Sequence, residues 1–362
     1  MQIKILKLYK YKKLLISFLL FCIVFICLGL PYIHWWFNGS DDFHGVYVGF
    51  KTKTLKELFY FFIDGNVSGK FIGPSNYAHL PSTQPTFFGV YYRPLYLIFA
   101  TLQYWLFGTN GYAYLLCNVF VHAVNTVLLF HLFSLLTSLF PALLAALMFA
   151  FHPQIAYRFG ATINLHYYIN VMCMLLTIIS FKRYLDTQKI MYNLAACALF
   201  TLSLFTRESS IVLPGIIFWG TYFYTKDQHT LSIKNFFGQF FTLLHRTAGL
   251  WFVALSFLTF RAYLYPPAFH RTAATGSVVQ ALHAKLQELL VFIYDFFWLS
   301  WLPWGHKALR SSLILLLITL CVWLFIKNTK KIFVLYFLLC AALMLWPAYV
   351  GCYSPRYIYE AL

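Results

Sequence analysis

From Leu14 to Phe37 the chain carries no Asp, Glu, Lys or Arg. At about 1.5 Å per residue, a helix of that length crosses a hydrocarbon core of about 30 Å. Further apolar runs cover roughly 111–136, 141–157, 164–181, 190–206, 211–225, 247–265, 311–326 and 332–350. Only 10% of the 362 residues are charged and 61% are apolar, against about 25% charged in soluble domains. A water-exposed globule, a collagen, a disordered chain and a coiled coil are all excluded. The alternating segments of about ten residues that mark an outer-membrane barrel are missing. The expected fold is all-α: a polytopic transmembrane helical bundle of about 9–10 spans, forming one integral membrane domain over 1–362.

Charge sets the sidedness. Lys4, Lys7, Lys10, Lys12 and Lys13 precede the first run and place the N-terminus in the cytoplasm. The run is long for a signal-peptide core and lacks a small-x-small cleavage site, so it reads as an uncleaved anchor. Residues 38–93 then form a first outer loop. The basic connections at 182–189 and 226–246 fall on the cytoplasmic side if each run crosses once. Leu289–Pro303 contains Asp295, and a mid-membrane carboxylate costs about 2.5–3.5 kcal/mol on insertion scales. Laying that segment along the outer surface gives nine spans, with 266–310 as a second outer loop. In the first loop, 54–63 reads as a short interfacial helix. Arg93-Pro94 opens a second one, Pro94 to Phe107, with proline suited to a first helical turn; it ends at Gly108-Thr-Asn-Gly111.

The net charge is +17. Its dispersal suits anionic headgroups and phosphate-bearing lipids, not nucleic acid. Seven of the eight cysteines lie inside apolar runs, where a thiol is most often a small packing residue. No metal-ligand spacing, P-loop, GxGxxG after a strand, HExxH or GxSxG is present.

Three groups of residues could carry chemistry. Asp41 and Asp42 adjoin, four residues past the first span. Such a carboxylate, partly desolvated by Trp35, Trp36 and Phe43, suits a general base, and equally a hydrated cap on a span end. Asn118, His122 and Asn125 are spaced by four and three, on one helix face. They line a cavity or bond a neighbouring helix. Arg93, Arg158, Arg207 and Arg356, with His152 and His166, face outward on this topology, and a guanidinium fork fits phosphate oxygens. Arg207-Glu208 taken alone reads as an ion pair at a turn.

Taken in order, these elements resemble the GT-C class of membrane glycosyltransferases, closest to polyprenyl- or dolichyl-phosphate-mannose-dependent O-mannosyltransferases. The residues that carry the likeness are Ser40-Asp-Asp-Phe-His44, Tyr92-Arg-Pro-Leu95, Leu106-Phe-Gly108 and Asn118-Val-Phe-Val-His-Ala-Val-Asn125. Ala142 to Pro153, Leu204-Phe-Thr-Arg-Glu208 with Leu213-Pro214, and Arg356-Tyr-Ile-Tyr359 follow. The resemblance implies transfer of a sugar from a polyprenyl-phosphate donor to a protein, lipid or glycan acceptor on the outer face, with inversion. Asp41 or Asp42 would be the base. Arg93, Arg207, Arg356 and His152 would meet the donor phosphate, and Asn118, His122, Asn125, Asn164, His166 and Glu208 would line the cavity. No cofactor is required by this reading, and a divalent metal is compatible with it. The implied location is a bacterial inner membrane or the endoplasmic reticulum. The chain departs from the pattern at Tyr157 and Asn164-Leu-His166, where repeat-bearing relatives have acidic and basic residues. No tetratricopeptide repeats follow, and it stops three residues after Tyr359, which the resemblance reads as a shortened chain.

Two rivals stand beside this reading: a transporter or flippase of lipid-linked sugars, and a catalytically inactive membrane remnant. Transporters often show paired halves with broken helices near the midplane, and no internal repeat is evident here. Single cysteines replacing Lys51 and Lys330 are expected to be labelled from opposite faces of the membrane; labelling from the same face overturns the sidedness.

Overall fold

The computed structural model describes residues 2–32, 40–63, 92–151, 165–226 and 233–264. The fold is an all-α helical bundle, with no strand among the described residues. In chain order the helices are α1 (Gln2–Gly29), α2 (Ser40–Lys51), α3 (Leu55–Ile63), α4 (Pro94–Phe107) and α5 (Gly111–Leu136). Then come α6 (Leu139–Ala150), α7 (Leu165–Thr187), α8 (Ile190–Thr206), α9 (Leu213–Lys226) and α10 (Ile233–Leu264). Segments Tyr11–Gly29, Gly111–Leu135, Leu165–Thr187 and Phe240–Arg261 are each long and apolar enough to cross a membrane. Helix is the form such segments must take, because lipid offers no partner for a bare N–H or C=O. The expected second outer loop at 266–310, with its segment Leu289–Pro303, the runs 311–326 and 332–350, and Arg356 lie outside the described residues.

Two compact units are present, one from Met1–Ser210 with Leu255–Pro266, the other from Ile211–Ala254 with Pro267–Leu362. In the second, Phe218 and Tyr222 of α9 pack on Leu243 of α10, with Trp219 and Phe240 alongside.

The first unit is built around α5. Leu20, Val24 and Leu28, spaced by four, form the buried stripe of α1 and meet Leu115, Val119 and Ala123 of α5. A second stripe of four-residue spacing, Ala142, Ala146 and Ala150, faces α5 from α6. Small residues at that spacing let two backbones approach closely. On its other side α5 packs on α7, and α7 pairs with α8 as an antiparallel hairpin through Gln188 and Lys189. Gln188 takes φ +56°, unusual for a residue with a side chain. Its side-chain amide donates to the Leu185 carbonyl at 2.8 Å, closing the end of α7.

Local chemistry explains the helix ends. Gly108, at φ +56°, caps α4 and its N–H donates to the Tyr104 carbonyl. Asn110 caps α5 by accepting from Ala113 N–H. At α3, Thr54 accepts from Glu57 N–H while Glu57 accepts from Thr54 N–H, a reciprocal capping box. The expected helices at 54–63 and Pro94–Phe107 therefore stand at α3 and α4. Three boundaries shift. α1 begins at Gln2, ahead of the five lysines, and ends at Gly29, two residues before Pro31, instead of reaching Phe37. Residues 40–51, expected as loop, form α2. α10 starts at Ile233, so much of the basic connection at 226–246 is helical.

α2, α3 and α4 make a small sub-bundle through Val48, Leu58, Phe61 and Leu97. Trp105 Nε1 of α4 donates to the Thr52 carbonyl at 3.0 Å. A Cβ added to Gly49 would collide with Cβ and Cγ of Tyr104, so glycine is what lets α2 lie against α4. Gly49→Val should therefore cost about 1–3 kcal/mol, read as a lowered thermal midpoint in detergent; an unchanged midpoint would rule out this close approach.

Candidate functional site: a guanidinium and aromatic cluster at one end of the first unit

At the end of α8 the chain leaves the helix at Arg207, whose backbone is extended (φ −157°, ψ 127°), and enters a 3-10 turn over Glu208–Val212. The turn is held from below. Ser210 Oγ donates to Asn170 Oδ1 of α7 at 2.8 Å. Ser203 Oγ lies 2.7 Å from both Asn170 Oδ1 and Ser210 Oγ. All three residues are buried, so their polar groups are matched against one another where water is scarce.

Glu208 is the centre of the site. Its Oε1 accepts from the Tyr92 N–H at 2.9 Å and lies 3.0 Å from Nε of Arg261. Its side chain is only 15% exposed, a burial that a carboxylate tolerates when it is paired and hydrogen-bonded. The ion pair at the turn thus joins Glu208 to Arg261 on α10, not to its neighbour Arg207. Arg207 is buried and its guanidinium lies over the Tyr167 ring, 4.3 Å from the centroid. That is a cation–π contact. Tyr167 adjoins the ring of His166 at 4.1 Å, and His166 meets Tyr96 of α4 edge-on at 4.6 Å.

Tyr92 ties these parts together. It is fully buried; its hydroxyl donates to the Phe62 carbonyl at 2.7 Å. Its ring contacts Phe205 of α8 and Phe257 and Phe260 of α10. Arg93 follows directly and precedes the first turn of α4. Three guanidinium groups, one imidazole and one carboxylate thus share this end of the unit.

The structure places the expected residues as follows. Arg93, His166, Arg207 and Glu208 come together here. Asn118, His122 and Asn125 are fully buried in α5. There the His122 ring bonds the Ala150 carbonyl of α6 at 3.1 Å, and Asn125 Nδ2 donates to the Tyr168 carbonyl of α7 at 2.7 Å. Asp41 and Asp42 fall in the first turn of α2, where the helix dipole favours carboxylates; their side chains lie outside the described part. His152, Arg158, Asn164 and Arg356 also lie outside the described residues. Among those described, no group of three His, Cys, Asp or Glu could hold a metal ion. Sequence reasoning missed Arg261, although it is the one charged residue in the run 247–265 and ionisable groups in such runs are functional candidates. It also missed Asn170, mid-way along an apolar run.

Fold and site together define a helical integral membrane protein with a cation-rich cluster at one end of its first unit. The chain matches no protein-family model and no curated protein.

Glu208→Ala should cost about 3 kcal/mol of stability, because it strands Arg261 and an amide N–H. Combined with Arg261→Met, the loss should fall below the sum of the two single losses. Thermal unfolding in detergent reads both, and strictly additive losses would dissolve the proposed coupling.

Proposed function

We propose that the chain is a GT-C type glycosyltransferase that moves a sugar from a polyprenyl-phosphate donor to an acceptor hydroxyl at the outer membrane face. The observation that carries this reading is the convergence of Arg207 and His166 with Glu208 and Arg261 at one end of a bundle of apolar helices, with Arg93 next in the chain to Tyr92, whose N–H Glu208 holds. Arg93, His166 and the Arg207-Glu208 pair stand more than forty residues apart in the chain. Guanidinium groups held by a carboxylate and aromatic rings are pre-organised to meet charge growing on a leaving phosphate. Orientation follows the positive-inside rule: Lys182 and Arg183 lie at the opposite end of α7, about 25 Å from His166, and Lys13 of α1 lies at that same end. That end is the cytoplasmic one in this reading.

Asp41 or Asp42 takes the proton of the acceptor hydroxyl as its oxygen attacks the anomeric carbon. The bond from that carbon to the phosphate oxygen breaks, polyprenyl phosphate leaves, and the anomeric configuration inverts. One carboxylate suffices, since phosphate is already a good leaving group. The prenyl tail stays among the spans while its phosphate meets the arginines.

Membranes from cells expressing the chain, given a radiolabelled polyprenyl-phospho-sugar, should release labelled product. Asp41→Asn and Asp42→Asn, made separately, should reduce that release at least a hundredfold at one position with unchanged membrane insertion. Full turnover in both variants removes the base assignment. Movement of intact donor across vesicles with no transfer would replace the transferase by a flippase.

A further inference from the structure

The opposite end of the first unit carries a cluster that the transfer chemistry does not use. Lys13 lies on α1, His131 on α5 and Arg183 on α7, three helices that pack side by side with α5 in the middle. His131 is within charge–charge range of both Lys13 and Arg183. Lys13 and His131 are half-buried and Arg183 is exposed. The packing that holds them together is apolar: Ile16 of α1 and Phe133 of α5 lie in the same cluster of the core.

Lys13 and Arg183 bring two cationic side chains to this end from the helices on either side of α5, and the half-buried His131 ring adds a hydrogen-bonding group. Among the described residues, the carboxylate at this end is Asp186, and it is engaged by Lys182 one turn before it. Directly membrane-ward of Lys13, the large apolar residues Leu14 and Phe18 are exposed, at 67% and 64%. A basic rim with bare hydrocarbon beneath it matches an amphiphile carrying one anionic head. A phosphodiester meets this rim: the guanidinium of Arg183 can fork its two non-bridging oxygens, while Lys13 adds a point charge.

We propose that Lys13, His131 and Arg183 form a binding site for the headgroup of an anionic phospholipid, whose acyl chains lie along the exposed face of α1. Basic pockets between helices at one membrane surface are suited to such headgroups. The site stands independently of the chemistry at the other end and of which end faces the cytoplasm.

The test uses the full chain purified in a neutral detergent, titrated with dioleoylphosphatidylglycerol or dioleoylphosphatidylcholine, with bound lipids counted by native mass spectrometry. Phosphatidylglycerol should be retained at least about fivefold more than phosphatidylcholine. Lys13→Gln with Arg183→Gln should bring the two lipids to parity, while Arg183→Lys keeps most of the preference. Lys189→Gln, outside the cluster, should leave the preference unchanged. Each variant is first checked for a single size-exclusion peak. If the double variant fails that check, Arg183→Gln alone is read, and it should lower the preference at least twofold. Equal retention of the two lipids by the unmodified chain overturns the proposal. So does a preference that survives the substitutions. Inorganic phosphate at about 10 mM, an ionic strength at which exposed charges are still weakly screened, should not displace the lipid; displacement would make this a free-anion site and overturn the lipid assignment.

Discussion

A single carboxylate organises one end of the first unit. Glu208 reaches across more than a hundred residues of chain to the Tyr92 N–H and, on its other flank, to Arg261 of α10. Its two partners come from distant parts of the chain: the residues just before α4, and the last turns of a long helix. Tyr92 converts that anchoring into packing, because its ring is the floor on which Phe205, Phe257 and Phe260 meet. In an apolar environment the arrangement is strongly specified, since any alternative that separates the charges leaves one of them buried alone.

The rest of the first unit is held in a different way. Its interhelical contacts are mainly apolar stripes at four-residue spacing, and lipid is as apolar as those stripes. Complementary shape therefore has to decide which helices meet: leucines of α1 against α5, alanines of α6 against α5, and glycine at 49 against Tyr104. The few polar side chains in these helices act as fasteners at fixed registers. Each interhelical bond of the kind Asn125 makes is worth about 0.6 kcal/mol on average, too little to hold a helix in place but enough to reject a neighbouring register.

Sequence made the helices legible because hydropathy and punctuation agree. α4, α5 and α8 begin and end where Pro94, Gly108, Asn110 and Arg207 say they should. α2 escaped, because Ser40–Lys51 is short, carries an acidic pair at its start and is stabilised by packing on α4, which no local pattern announces. The site was half legible. Arg207, His166 and Glu208 stood out as polar groups beside apolar runs. The partner of Glu208 did not, since an ion pair formed across fifty-odd residues depends on tertiary placement. The intuitive partner, Arg207, is instead turned onto Tyr167.

The narrow attachment of α1 bears on how the protein is made. Leu20, Val24 and Leu28 form its buried line on the core, flanked by the partly buried Ile16, Phe21 and Phe25, while Leu14, Leu15, Phe18, Leu19, Ile23 and Ile26 are apolar and uncovered. Such a helix can insert by itself and dock afterwards, once α5 is in place to receive it. Its outward positions then ask only for oiliness, while its three seam positions ask for a particular size, so tolerance to substitution should alternate around the cylinder with the pitch of the helix.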